Sequence, residues 1–207
     1  MTKSNINFRT CGEKLEWDSP NYCNFADCPD LQCPDTYFNV VIGAQATTPK
    51  KTQQNKAIIK KLLKKWGKNY GGPDNKKASL FTFTNSIEQI FDARNNLTPQ
   101  IGKYVKNIRP GSGGNFTTAV NYAVTKSLNS EKVEGYPNIA LLLLDSADFE
   151  LEDVKKLKRN FERVIVLSHQ EKTAYLSLSS APSLENLYFF AELNENSVEK
   201  IGYQVSF

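Results

Sequence analysis

Residues that could do chemistry are few in this sequence and unevenly placed. All four cysteines, Cys11, Cys23, Cys28 and Cys33, fall in a short stretch rich in Pro, Asp and Asn at the start of the 207-residue chain. An even count in a segment too small for its own core predicts two disulfides, with three pairings open. A zinc site with all four as ligands competes with this reading, as do free thiols. The intervening spacings of eleven, four and four residues lack the close C-x2-C pairs with which most zinc clusters grip one metal. Because every thiol sits in this extension, cysteine catalysis is not expected.

His169 is the single histidine and directly follows an apolar run at 164–167. That is the end at which α/β sheets present ligands. Asp145, Ser146 and Ser168 could supply the carboxylate and nucleophile of a hydrolytic triad, but no Gly-x-Ser-x-Gly elbow is present. His169 is therefore read as exposed or bonded within a loop. Gly111-Ser-Gly-Gly114 precedes a helical pattern, as phosphate-cradling loops do. It lacks the Gly-Lys-Ser/Thr ending of a nucleotide-binding loop. No enzymatic activity and no cofactor are expected.

The charged residues point to a surface rather than a reaction. The Lys-rich helix expected at 50–68 repeats lysine at Lys56, Lys60 and Lys64, one stripe of a helical face. Such a stripe either solvates the outer face or meets an anionic glycan or lipid surface. Nucleic acid fits poorly, because aromatic and arginine residues do not interleave with the lysines. A net charge of +4 is mild, and 40% apolar with 23% charged residues is ordinary for a globular chain. The longest apolar run, 139–144, is far below the roughly 18 to 20 residues that span a bilayer, so no membrane span is expected. Residues 1–8 lack the apolar core of a signal peptide. The cysteines and two Asn-x-Thr glycosylation acceptors, Asn96 and Asn115, nevertheless favour a secreted, extracellular protein.

These residues need elements to hold them. Residues 1–34 read as a cysteine-rich extension and 35–207 as one α/β domain. Strands are expected at 37–42, 78–83, 87–91, 139–144, 164–167 and 187–190, the second and third forming a hairpin. Helical spacing marks 50–66, 98–108, 117–128, 151–161 and 194–203. In the second of these Tyr104 joins the apolar face, and in the fourth Leu151 does. The strands at 139–144 and 164–167 are continuous apolar runs. That pattern predicts a doubly wound, mostly parallel sheet with one antiparallel edge strand and helices on both faces.

The order of elements, together with Gly113-Gly-Asn-Phe-Thr-Thr-Ala119 and Ala140-Leu-Leu-Leu-Leu-Asp-Ser146, resembles the von Willebrand factor type A domain, the fold of integrin I domains. The resemblance implies a Rossmann-like sheet whose strand ends carry a metal-ion-dependent adhesion site, with an Asp-x-Ser-x-Ser loop after the first strand. This chain reads Gly43-Ala-Gln-Ala-Thr47 there, has Asn115 where the family's threonine follows Gly-Gly, and keeps only Asp145. One carboxylate is a poor site for Mg²⁺, so a degenerate site with no bound metal is expected. Gln45, Thr47, Asn115, Thr117 and Asp145 then form the expected contact rim of an extracellular protein-interaction or adhesion module. Its partner is an unknown protein ligand of the matrix or cell surface. The alternatives are Mg²⁺-dependent adhesion through Asp145 with Thr47 and Thr117, an anionic glycan or surface binder acting through helix 50–68, and an enzyme built on Asp145 and His169.

Overall fold

A computed structural model describes residues 38–69, 76–92, 101–111, 113–129, 137–145, 148–171, 173–181 and 185–206. The four cysteines, the extension 1–34 and Asn96 lie outside the described residues. Six strands form one sheet: β1 (Phe38–Ala44), β2 (Lys76–Phe83), β3 (Ile87–Phe91), β4 (Asn138–Leu144), β5 (Arg163–Ser168) and β6 (Leu187–Phe189). Their order across the sheet is β3-β2-β1-β4-β5-β6. Every pairing is parallel except the β2–β3 hairpin, so the mostly parallel sheet with one antiparallel edge is present as expected.

Side chains alternate across a strand, and here both faces are apolar. Val40, Ile42, Ile139, Leu141, Leu143, Ile165 and Leu167 pack on one side beneath α1 (Pro49–Asn69) and α6 (Glu195–Ser206). Val41, Phe81, Ala140, Leu142, Leu144, Val164 and Val166 pack on the other, beneath α3 (Phe116–Asn129) and α4 (Leu151–Asn160). Burial on two faces is why these strands are continuous apolar runs. Trp66, fully buried, anchors α1: its ring meets Phe38 edge-on at 5.5 Å and its indole N–H donates to the Gly202 carbonyl of α6 at 3.4 Å.

Two expectations are corrected and one element is added. The helix expected over 98–108 is, in its described part, a short α2 (Ile101–Tyr104) running into a single 3-10 turn, Val105–Asn107. The tighter turn has about three residues per repeat. It rotates the buried face onto Val105 and Ile108 and leaves Tyr104 half exposed. Leu151, expected inward, is 66% exposed. It is the first residue of α4, where a side chain leans back past the helix end, and Val154, Leu157 and Phe161 hold the core. A short helix not anticipated, α5 (Tyr175–Leu178), buries Tyr175 and Leu178 against the α4 side. No helix among the described residues is long and apolar enough to cross a membrane.

Candidate functional site

The carboxyl ends of β1, β4 and β5 meet the first two turns of α1, and a buried polar network joins them. Asp145, fully buried, leaves β4 and receives three hydrogen bonds on its carboxylate. The Lys51 ammonium holds Oδ1 as an ion pair, while the Thr47 backbone N–H (2.8 Å) and the Thr47 hydroxyl hold Oδ2. The Asp145 backbone N–H donates to Gln45 Oε1 at 3.1 Å, and Gln45 N–H donates to Leu143 O at 2.8 Å. Asn55 Nδ2, one turn after Lys51, donates to Gln45 O at 2.9 Å. Asn55 thereby turns Oδ1 toward His169, whose Nε2–H donates to it at 2.8 Å. The network satisfies the polar groups that packing at the strand ends removes from water, as buried groups require.

Charge follows from this geometry. Burial alone raises the Asp145 carboxyl, but the hydrogen bonds from Lys51 and Thr47 and the ammonium charge outweigh it and hold the group below its ordinary value. Burial lowers His169 to about 4, with Asp145 opposing and Lys51 assisting. Its ring stacks on Phe190 at 3.7 Å and 10°. His169 is thus neither exposed nor bonded within a loop, contrary to the sequence reading: its ring is half-buried, tied to Asn55 of α1 and held neutral.

A neutral native histidine has a pH consequence. The unfolded chain takes up a proton near pH 6.5 while the folded chain resists until about 4. Stability therefore falls as pH drops through that window. With solvent screening of a half-buried ring, the loss is on the order of 1–2 kcal/mol. Urea unfolding at pH 7 and pH 4.5 checks it, and His169→Gln is expected to flatten the difference.

Of the five expected rim residues, the structure brings Gln45, Thr47 and Asp145 into one network. Thr117 instead donates its hydroxyl to buried Asp153 at 3.0 Å, fixing α3 to the first turn of α4, where Asp153 also accepts from Glu150 N–H at 3.1 Å. Asn115 accepts from Thr118 N–H at 2.8 Å and caps α3. Asn115 and Thr117 still share a cleft of about 490 Å³ with Gln45, Phe149 and Glu150. Position 43 does not face this rim. A Cβ there would lie 2.9 Å from Phe81 Cζ and 3.2 Å from Leu142 Cδ2, inside the α3-side core.

Lys51 and Asn55 were not singled out from the sequence, yet a signal exists. Positions 51, 55, 58, 62 and 66 form one i, i+4, i+7 stripe, and its lower part is Ile58, Leu62 and Trp66. A lysine and an asparagine heading an apolar stripe must find polar partners at the sheet edge.

The residues present do not fit the divalent cation of the family's adhesion site. Both oxygens of the only carboxylate in the network are engaged, one by an ammonium whose charge repels a second cation. Among the described residues, no group of three or more His, Cys, Asp or Glu side chains could hold a metal.

The fold is that of the von Willebrand factor type A domain. The structure superposes on proximal thread matrix protein 1 from the mussel byssus with a TM-score of 0.63 at 14% identity. A second structure of that protein, with a zinc occupied MIDAS motif, matches with a TM-score of 0.63 at 12% identity. In both cases the match covers 83% of this chain and 46% of the mussel chain, so this chain spans about half the length of the proteins it resembles. A further crystal form matches with a TM-score of 0.61 at 16% identity, covering 83% of this chain and 48% of the other. No protein-family model and no curated protein matches the sequence.

Proposed function

We propose that this chain is an extracellular protein-interaction and adhesion module whose strand-end rim works without a metal ion, and that it catalyses nothing. The observation that carries this reading is the Lys51 ammonium on the Asp145 carboxylate. A tethered cation supplies from within the counter-charge that the type A fold otherwise takes from solution. A fold shared with a byssal thread matrix protein supports the adhesion class. The four cysteines and the Asn96 glycosylation acceptor support an extracellular setting.

The exposed cleft edge at Asn115, together with the loop 113–114, is the contact surface in this reading, and Asp145 is its internal brace. A glycan on Asn115 would cover that edge, so the module is expected to carry none there when it binds. The test is retention of the purified protein by surfaces coated with fibrillar collagen or fibronectin, in EDTA and in Mg²⁺. Retention equal in the two buffers is expected, with Asn115→Arg weakening it by about tenfold. Retention that needs Mg²⁺, or none on either surface, contradicts the proposal.

A further inference from the structure

The outer arc of α1 is cationic along its length. The helix has no acidic residue. Its outer arc presents exposed Lys50, Lys60, Lys61 and Lys64, with partly buried Lys56 completing the stripe Lys56, Lys60 and Lys64. At 1.5 Å per residue, Lys50 to Lys64 spans about 21 Å. On one flank the field is closed by Glu199 of α6, which pairs with Lys65 at 3.5 Å. On the other flank it widens: Lys56 Nζ donates to the Lys106 carbonyl at 2.9 Å, which lays the 3-10 turn alongside α1. That turn and its surroundings, residues 101–110, add Lys103, Lys106 and Arg109, all exposed, and no acid. Among the described residues, no carboxylate pairs with Lys60, Lys61, Lys64, Lys103 or Lys106.

Lysines four apart on a helix repel one another and lower its stability slightly. Two adjacent elements nevertheless accumulate them on one surface without interposed acids, so the surface is complementary to a polyanion at least as long as the ridge. The details select among polyanions. A membrane needs apolar side chains to enter the headgroup layer, whereas the apolar face of α1 is buried against the sheet and only half-exposed Tyr104 lies near the ridge. Nucleic-acid binding surfaces use stacking aromatics and arginine forks, and this surface offers one of each. Compact, hydrated ammonium groups on flexible stems suit sulfate and carboxylate groups spaced along a flexible chain.

We infer that the ridge formed by Lys56, Lys60 and Lys64 of α1 with Lys103, Lys106 and Arg109 binds a linear sulfated or carboxylated polysaccharide. The choice of a glycan draws on the extracellular reading. The ridge is separate from the strand-end rim, so either surface can fail in experiment without the other.

The test uses the full chain and heparin as the sulfated probe, measured by surface plasmon resonance from 50 to 300 mM NaCl. Affinity is expected to fall at least about a hundredfold across that range, because binding releases counterions. Lys60→Glu with Lys64→Glu should weaken binding more than about tenfold at 150 mM NaCl. Lys155→Glu with Lys158→Glu, an equal charge change on α4, should weaken it less than about threefold. Circular dichroism melting confirms that both variants fold. Equal losses in the two variants, no binding at 150 mM NaCl, or tighter binding to duplex DNA or to phosphatidylserine vesicles would overturn the inference.

Discussion

Lys51→Ala is expected to cost the fold about 3 kcal/mol, a large effect for a side chain that is 29% exposed. The ammonium leaves, and the Asp145 carboxylate, fully buried in the native chain, keeps Thr47 as its hydrogen-bond partner. A buried charge stripped of its counter-charge loses the attraction that offset its desolvation. Asp145→Ala is expected to cost a similar amount by the converse route, freeing the Thr47 N–H and leaving the head of α1 without its anchor. The two changes should not add. Lys51→Ala combined with Asp145→Ala removes both charges and is expected to fall at least about 1.5 kcal/mol short of the sum of the single losses, as coupled partners do. A double-mutant cycle by urea unfolding at pH 7 measures this.

The same pair fixes an acid limit. The folded Asp145 carboxyl is held below its ordinary value of 3.8. Its contribution is therefore complete above that value and is lost as pH falls through the folded one. In Lys51→Ala burial is no longer opposed by the ammonium, so that loss moves to higher pH.

The second large effect is expected at Gly114. Its φ of +143° is a conformation that side-chain-bearing residues rarely adopt, and a Cβ would sit 2.2 Å from the Phe83 carbonyl oxygen. That obstacle is the backbone of β2, which cannot swing aside as a side chain can. Gly114→Ala must therefore lift the 113–115 loop from the end of β2 and disturb the start of α3. A loss of about 3 kcal/mol or more is expected, combining backbone strain with a main-chain clash. Gly113 provides the control. Its φ is also positive, +80°, but nothing lies within 4 Å of a Cβ there. Gly113→Ala should cost only the left-handed penalty, about 1–2 kcal/mol. Thermal melts of the two variants side by side separate clash from conformation.

The scaffold was legible in the sequence because two physical patterns agreed along most of it. Apolar runs such as 139–144 can be satisfied only by burial on both faces. The stripe Ile58, Leu62 and Trp66 leaves α1 a single way to lie on the sheet. Where local rules compete, legibility ended. Residues 101–107 have helical spacing but close as a 3-10 turn, which exposes Tyr104. Leu151 has the right spacing yet sits at a helix start, where its side chain is exposed.

The rim was legible as a place but not as a mechanism. Strand-end residues Gln45, Thr47 and Asp145 follow from where the apolar runs stop. The partner of Asp145 comes from a helix 94 residues away in sequence, and no local pattern relates the two. Lys51 was hidden among neighbouring lysines that point outward. Only its position at the head of the buried stripe distinguishes it. Thr117 and Asn115 fit the family's loop by position, but their side chains are spent on joining α3 to α4 and on capping α3.

In the proposed reading, Lys51 takes the place of a dissociable cation at the strand ends. Isothermal calorimetry of the wild-type chain against millimolar Mg²⁺ and Mn²⁺, repeated with Asp145→Ala, tests it most directly. No one-site isotherm is expected with either metal. A one-site isotherm in the wild type that disappears in Asp145→Ala would contradict it and make this a cation-dependent adhesion domain.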